Sequence, residues 1–283
     1  MPDSLSPGSK LNLFADDSLL YREISCPKDA EILQRDLNSL TVWEKNWKMS
    51  FHPSKCNVIS FHTKKYQPII NNYSIHGTTL QRTDCATYLG IKLDSNLTWR
   101  KHIDNTCKKA NSTLFFLKRH LKSCPQKVKE QCYNSYVRSK LEYASSIWDP
   151  HLQGDIDLLE KVQRRAARFT TNNYNLNCDL LLKNLQWSPL TERRAKSKVT
   201  MIFKAKKGLL HIPTKDLIYN SNNTRAGSSG DFFIPRSGSS EHLYSFYPSS
   251  CRLWNSLPAS TRDAGSLDTF KRNIKIKTLR QAY

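Results

Sequence analysis

The feature that most restricts this chain's fold is a change of hydrophobic period near Trp99. Before it, apolar residues come in short runs. Leu11, Leu13, Leu19 and Tyr21 alternate with other residues, the period of a half-buried hairpin, on either side of the adjacent acids Asp16 and Asp17. After it, they recur every three or four residues, as on one face of a helix. Strands and helices kept in separate blocks predict an α+β fold: a partial antiparallel sheet with a helix, followed by a helical domain.

In the first block, Leu11–Phe14 and Leu19–Ile24 are the predicted hairpin strands. Pro27, Asp29 and Glu31 mark a helix start, because acids favour the positive end of the helix dipole. Leu33, Leu37, Leu40, Trp43 and Trp47 form that helix's apolar stripe. Cys56–Phe61 is the next predicted strand, and YSIHG and ATYLGIKL are two more. In the second block, Ile103, Ala110, Leu114, Leu117 and Leu121 share one helical face. Tyr133, Tyr136, Val137, Leu141 and Tyr143 suggest a second helix. Leu158, Leu159, Val162, Ala166 and Phe169 suggest a third, with Asp155 and Asp157 near its start. Two shorter helices are expected within 180–208. The Ser/Asn/Gly-rich residues 216–240 predict a linker. The tail, 241–283, has Phe246, Trp254, Leu257 and Phe270 to pack back on the body. The expected divisions are 1–97, 98–215, 216–240 and 241–283.

Charge narrows the partners. The net charge is +20, and residues 99–210 hold 23 Lys and Arg against 9 Asp and Glu, an excess of 14. Such a field gathers polyanions, nucleic acid first. Arg119, Lys122, Arg138, Lys140, Arg164, Arg165 and Arg168 are the candidates for gripping a phosphate backbone. A membrane surface fits less well, because these bases do not form one amphipathic helix with a clean apolar face. No apolar run approaches a bilayer span, and MPDSLSPGSK lacks the apolar stretch of a signal peptide. The eight cysteines are scattered with no C-x-x-C pair, which argues against a zinc site. Reduced thiols in the nucleus or cytoplasm, not secretion, are the expectation.

Asp16 and Asp17 admit two readings. Asp is common in turns, where its side chain bonds nearby amides. Adjacent carboxylates also repel each other unless a cation lies between them, and Mg²⁺ takes oxygen ligands of this kind.

FADD, Phe14–Asp17, resembles the signature hairpin of reverse transcriptases. LQRDLNSLTVWEKNWKMSFHPSKCNVISF resembles the palm helix and strand that follow it in jockey-like non-LTR retrotransposons. YLGI, Tyr88–Ile91, is similar to their primer grip. LTWRKHI, VRSKLEYASSIWDPH and LEKVQRRAARF resemble their thumb segments, and RLWNSLP followed by SLDTFKRNIK resembles their C-terminal ending. The resemblance runs from Leu11 onward and implies an RNA-directed DNA polymerase acting on an RNA template and a DNA primer. It implies Mg²⁺, or Mn²⁺, at Asp16 and Asp17. It places at Lys55 the palm lysine that protonates pyrophosphate, with a solvated base near a turn as the alternative. Tyr88, Leu89 and Gly90 would hold the primer end. The alternatives are strand core for Tyr88 and Leu89, and a bulge or close backbone approach for Gly90. His52 stands where these elements commonly carry Asn.

The resemblance also implies a third metal-binding aspartate on a strand several tens of residues before the hairpin, with the fingers also upstream. Ten residues precede Leu11, and Asp3 is the sole acid among them. Two-ion transfer needs the full ligand set. The expectation is therefore a polymerase fragment inactive by itself, with the hairpin edge left open where the third strand would pair. The chain would need an upstream reverse transcriptase segment from another chain. The alternatives are a binding module without chemistry and an unselected remnant of a truncated element.

Overall fold

The computed structural model describes residues 5–62, 68–210, 212, 217, 231–234 and 236–274. The chain forms two compact units, Met1–His102 and Ile103–Tyr283.

The first unit is α+β. Strands β1 (Lys10–Phe14) and β2 (Asp17–Tyr21) pair antiparallel, with Phe14 opposite Asp17. Ala15 and Asp16 form the two-residue turn, and Ala15 takes φ +52°, as such hairpin turns demand at their first position. The register sets Leu11 opposite Leu20 and Asn12 opposite Leu19. Leu11, Leu13 and Leu20 therefore share one face, while Phe14, Leu19 and Tyr21 share the other. The expected single apolar face is corrected to two, because this turn pairs odd positions of one strand with even positions of the other. Leu13, Phe14 and Tyr21 are exposed.

Helix α1 (Pro27–Trp47) begins as its sequence dictates. The Asp29 carboxylate accepts from the amides of Ser25 (3.0 Å) and Cys26 (3.1 Å) and meets Arg22 at 3.3 Å. The helix stops at Lys48, which takes φ +52°. Short strands follow: β3 (Asn57–Val58), β4 (Ser74–Ile75), β5 (Thr78–Thr79), β6 (Gln81–Arg82), β7 (Cys85–Tyr88) and β8 (Ile91–Asp94). The Gln34 amide clamps α1 to β4 by donating to the Ser74 carbonyl and accepting from its amide, both at 2.9 Å. Ala30, Leu33 and Leu37 pack there with Tyr73, Ile75 and Leu80. Trp47 is 67% exposed and stacks on Trp43 at 6.0 Å, so the predicted stripe ends before it. The strand expected over Cys56–Phe61 reduces to β3, which pairs with β6 in parallel. The antiparallel ladders are β1–β2, β4–β5 and β7–β8, and among the described residues every ladder has two strands.

The second unit is helical: α2 (Arg100–His120, largely in this unit), α3 (Gln126–Cys132), α4 (Ser139–Glu142), α5 (Gln153–Thr171), α6 (Cys178–Asn184), α7 (Leu190–Lys206), α8 (Ser240–Leu243), α9 (Phe246–Asn255), α10 (Ala259–Arg262) and α11 (Leu267–Asn273). Between α3 and α4 the backbone makes a π-helical turn over Tyr133–Arg138. Tyr133, Val137 and Leu141 are buried, whereas Tyr136 and Tyr143 are exposed and leave the predicted face. Leu159, Val162, Ala166 and Phe169 of α5 are buried as expected. Helix α7 spans 17 residues, longer than the short helix expected. Its Val199, Ile202 and Phe203 form one core with Phe232, Trp254, Leu257 and Phe270, so the tail packs on α7, and Phe246 packs against the same cluster. Most of the predicted linker lies outside the described residues. Its described end is anchored: Asn255 bonds both backbone groups of Phe232 (2.9 and 2.8 Å), and Asp231 pairs with Arg262.

A buried ionic cluster sits beside this core. Asp149 meets Arg194 Nε at 2.6 Å and Lys198 Nζ at 2.8 Å, and Lys198 also donates to the Ser249 hydroxyl at 2.9 Å. All three charged side chains are almost wholly buried. Burial pushes the Lys198 pKa down against the pull of Asp149. Replacing Asp149 with Asn would strand two buried cations, and breaking such a pair costs about 3–5 kcal/mol. Urea denaturation is expected to show that loss as a lower midpoint at unchanged slope.

Acid weakens the first unit. At Asp94, burial opposes charge, but Lys101 at 2.6 Å and the amide and side chain of Asn96 outweigh it and hold the carboxyl below its ordinary 3.8. At Asp36, burial is likewise outweighed, by Ser9, Ser6 and Arg22. Both pKa values are lower folded than unfolded, so their stabilisation is complete above the unfolded value and lost as pH falls through the folded one. Thermal melts from pH 6 to pH 2.5 are expected to show the midpoint dropping mainly below about pH 4.

Candidate nucleic-acid interface

The hairpin fixes both acids by backbone geometry. Asp16 is the second turn residue, and Asp17 is the first residue of β2, on the face of Phe14 and Leu19. Both are exposed. Lys55 ends a 3₁₀ turn, Pro53–Lys55, and is exposed too. In this turn His52 Nδ1 lies 2.9 Å from the Ser54 hydroxyl. Among the described residues no three His, Cys, Asp or Glu side chains gather to hold an ion. Two-ion transfer needs cations about 3.5–4 Å apart, each with its own share of carboxylate oxygens. The two neighbouring acids do not fit that pair of ions by themselves.

Tyr88, Leu89 and Gly90 belong to one tight hairpin. Tyr88 faces Ile91, and Leu89 and Gly90 are the turn, at φ +47° and +79°. Neither is strand core or bulge. Two consecutive positive φ values suit a glycine at the second position, and Leu at the first is costly.

The basic candidates divide. Arg138 lies 3.8 Å from Glu142, which also takes Arg193 in a two-bonded pair, its longer bond 3.0 Å. Burial lowers the Arg138 pKa, and Arg193 adds to that. This arginine is committed to the fold beside the π turn. Lys140 donates to the Thr113 hydroxyl at 2.6 Å. Arg119 and Lys122 are exposed at the end of α2 and just after it.

Arg164, Arg165 and Arg168 converge. With Lys161 they occupy one face of α5, since positions 161, 164, 165 and 168 are spaced by three and four. That face forms one wall of a cleft of about 890 Å³, whose other side is the loop and helix start from Tyr174 to Asp179. Arg165 Nη1 donates to Asn111 of α2 at 3.1 Å. Lys118 of α2 has its pKa lowered by burial and by the nearby Arg165 charge. Its ammonium lies 5.6 Å from the exposed Phe115 ring. The cations thus extend from α5 onto an aromatic-bearing face of α2.

Sequence reading missed Lys161, Tyr174 and Asn175 as members of this cleft. The spacing of Lys161 from Arg165 and Arg168 was the available signal. The Asn-rich run after α5 carries no periodicity that would have singled it out.

Comparison with known proteins finds relatives of one kind. The chain is similar to a probable RNA-directed DNA polymerase from transposon BS of Drosophila melanogaster, with 29% identity over 166 residues, 57% of this chain and 18% of that protein. It is similar to the probable RNA-directed DNA polymerase of the X-element of the same species, at 24% over 65% of this chain and 20% of that protein. It is also similar to the RNA-directed DNA polymerase of the mobile element jockey of Drosophila funebris, at 25% over 59% of this chain and 19% of that protein. No family profile and no solved structure matches. The homologues are thus polymerases of mobile elements. More narrowly, they are the RNA-directed DNA polymerases of jockey-type non-LTR retrotransposons, as FADD and the motifs after it imply. The chain spans about a fifth of their length and matches only part of them.

Proposed function

We propose that this chain is the nucleic-acid-holding portion of an RNA-directed DNA polymerase, gripping the backbone of an RNA template and DNA primer with the cations of its helical unit. The observation that carries this reading is the ridge Lys161, Arg164, Arg165 and Arg168, set on one face of α5 beside an open cleft. Phosphate contacts of this kind position the nucleic acid without reading its sequence. In this reading the hairpin contributes Asp16 and Asp17 to a site for Mg²⁺ or Mn²⁺, and a polymerase segment outside these 283 residues contributes the remaining carboxylate. Lys55 and the Tyr88–Gly90 turn belong to the same polymerase unit. Among the described residues no helix is long and apolar enough to cross a membrane. The reading places the chain inside the cell, in nucleus or cytoplasm, where template and primer are found.

Filter binding over a salt series tests the grip. Affinity for mixed-sequence RNA and DNA is expected to fall steeply, and replacing Arg164 and Arg168 with Ala should reduce the log–log slope by about 2 and weaken all sequences alike. A salt-independent affinity would overturn the proposal. Primer extension tests the metal site. The chain alone should incorporate no nucleotide with Mg²⁺ or Mn²⁺, and extension free of contaminating enzyme would show that its two acids suffice.

A further inference from the structure

The geometry points to a finer role for the cleft beside α5: it is a seat for an unpaired nucleotide, and it makes the helical unit prefer single-stranded nucleic acid to duplex. This inference rests on the nucleic-acid reading above and names the form of nucleic acid that the cleft takes.

The two walls differ in chemistry. One is the cationic face of α5. The other is the Asn-rich loop that follows that helix, and its backbone is held in place by its own side chains. Asn173 Oδ1 accepts from the amides of Asn175 (3.1 Å) and Leu176 (3.0 Å), and Asn177 Oδ1 accepts from the Asp179 amide (2.9 Å) at the start of α6. On this fixed loop Tyr174 is 61% exposed and lines the cleft. An exposed aromatic ring on an ordered backbone, lining the same cleft as guanidinium groups, is a platform on which a base stacks.

Arg168 lines the same cleft and is only partly buried, so its guanidinium can give a phosphate oxygen a charge-assisted bond there. The cleft is not a bare anion trough, because Asp157 and Asp179 also line it. Carboxylates accept from the amino groups of bases and repel a second phosphate. The cleft is open to solvent and, at about 890 Å³, has room for a nucleotide to enter from outside. A duplex keeps its bases stacked inside and offers only its backbone to such a concave site. A single strand can turn a base onto Tyr174 while its phosphate meets Arg164 and Arg168.

The test is fluorescence anisotropy with the full chain and 12-nucleotide probes of mixed sequence: single-stranded RNA, single-stranded DNA and the matching duplex. The wild-type chain is expected to bind both single strands more tightly than duplex at equal salt. Tyr174→Ala should weaken single-strand binding about tenfold and lower the ratio of single-strand to duplex affinity by a similar factor. Tyr174→Phe should restore it, because stacking needs the ring and not the hydroxyl. Circular dichroism melts confirm that the exposed substitution leaves the fold intact. Unchanged single-strand affinity in Tyr174→Ala, or equal affinity of the wild type for single strand and duplex, overturns the nucleotide seat and leaves the backbone grip standing. If Arg164→Glu with Arg168→Glu also leaves every affinity unchanged, the grip falls with it.

Discussion

Asp149 is the charge around which the helical unit is arranged. One carboxylate, nearly without water, takes a guanidinium on one oxygen and an ammonium on the other. Its partners lie 45 and 49 residues further along the chain, on adjacent turns of α7. Through the same ammonium it reaches the Ser249 hydroxyl of α9. Such a cluster gains little against a well-packed apolar filling of the same space. Its effect is on choice of packing: any other placement of α7 leaves a buried charge without its opposite. The apolar packing of Val199, Ile202 and Phe203 against Trp254 and Phe270 is less exacting, because apolar faces accept several neighbours.

Around that fixed frame the same helices turn other faces outward. Helix α5 buries Leu159, Val162, Ala166 and Phe169 and presents Lys161, Arg164, Arg165 and Arg168 to the cleft. Both sets follow from one helical period. Glu160 ties α5 to the start of α7 by accepting from the Thr191 amide and hydroxyl, at 2.9 and 3.1 Å. Gln163 does the same by donating to the Ser188 carbonyl at 3.0 Å. The cationic ridge therefore has a rigid mount.

What could be read from the sequence follows the range of each interaction. The start of α1 was legible because Pro27 and Asp29 act within four residues. The faces of α2 and α5 were legible because their period repeats over five turns. The π turn at Tyr133–Arg138 was not, since one extra residue per turn leaves no mark on a period of three or four. Nor was the parallel pairing of β3 with β6, which joins residues 24 apart through two-residue strands. The α+β class and the likeness to mobile-element polymerases were legible, the latter through the order of the motifs rather than any single one. At the candidate site, the convergence of Arg164, Arg165 and Arg168 was legible. The i,i+4 spacing of Arg138 and Glu142 was open to reading, but the second arginine on that carboxylate, Arg193, was not, because that pair spans 51 residues. The register that sets Leu19 and Tyr21 on the face of Phe14 depends on the turn, whose length could not be read from alternation alone.

The division of α5 into a buried side and a wet side has a bearing on how such a sequence ages. Loss of Val162 or Phe169 opens a cavity in the interior and threatens the whole helical unit. Loss of Arg164 or Arg168 to a neutral residue removes a partly exposed cation and disturbs almost nothing else. The demand for a stable chain and the proposed grip on polyanions thus fall on opposite sides of the same nineteen-residue helix. In a lineage relieved of the second pressure, the outer cations would drift toward neutral residues while the inner row stayed greasy. In this chain the ridge stands four cations deep along one face.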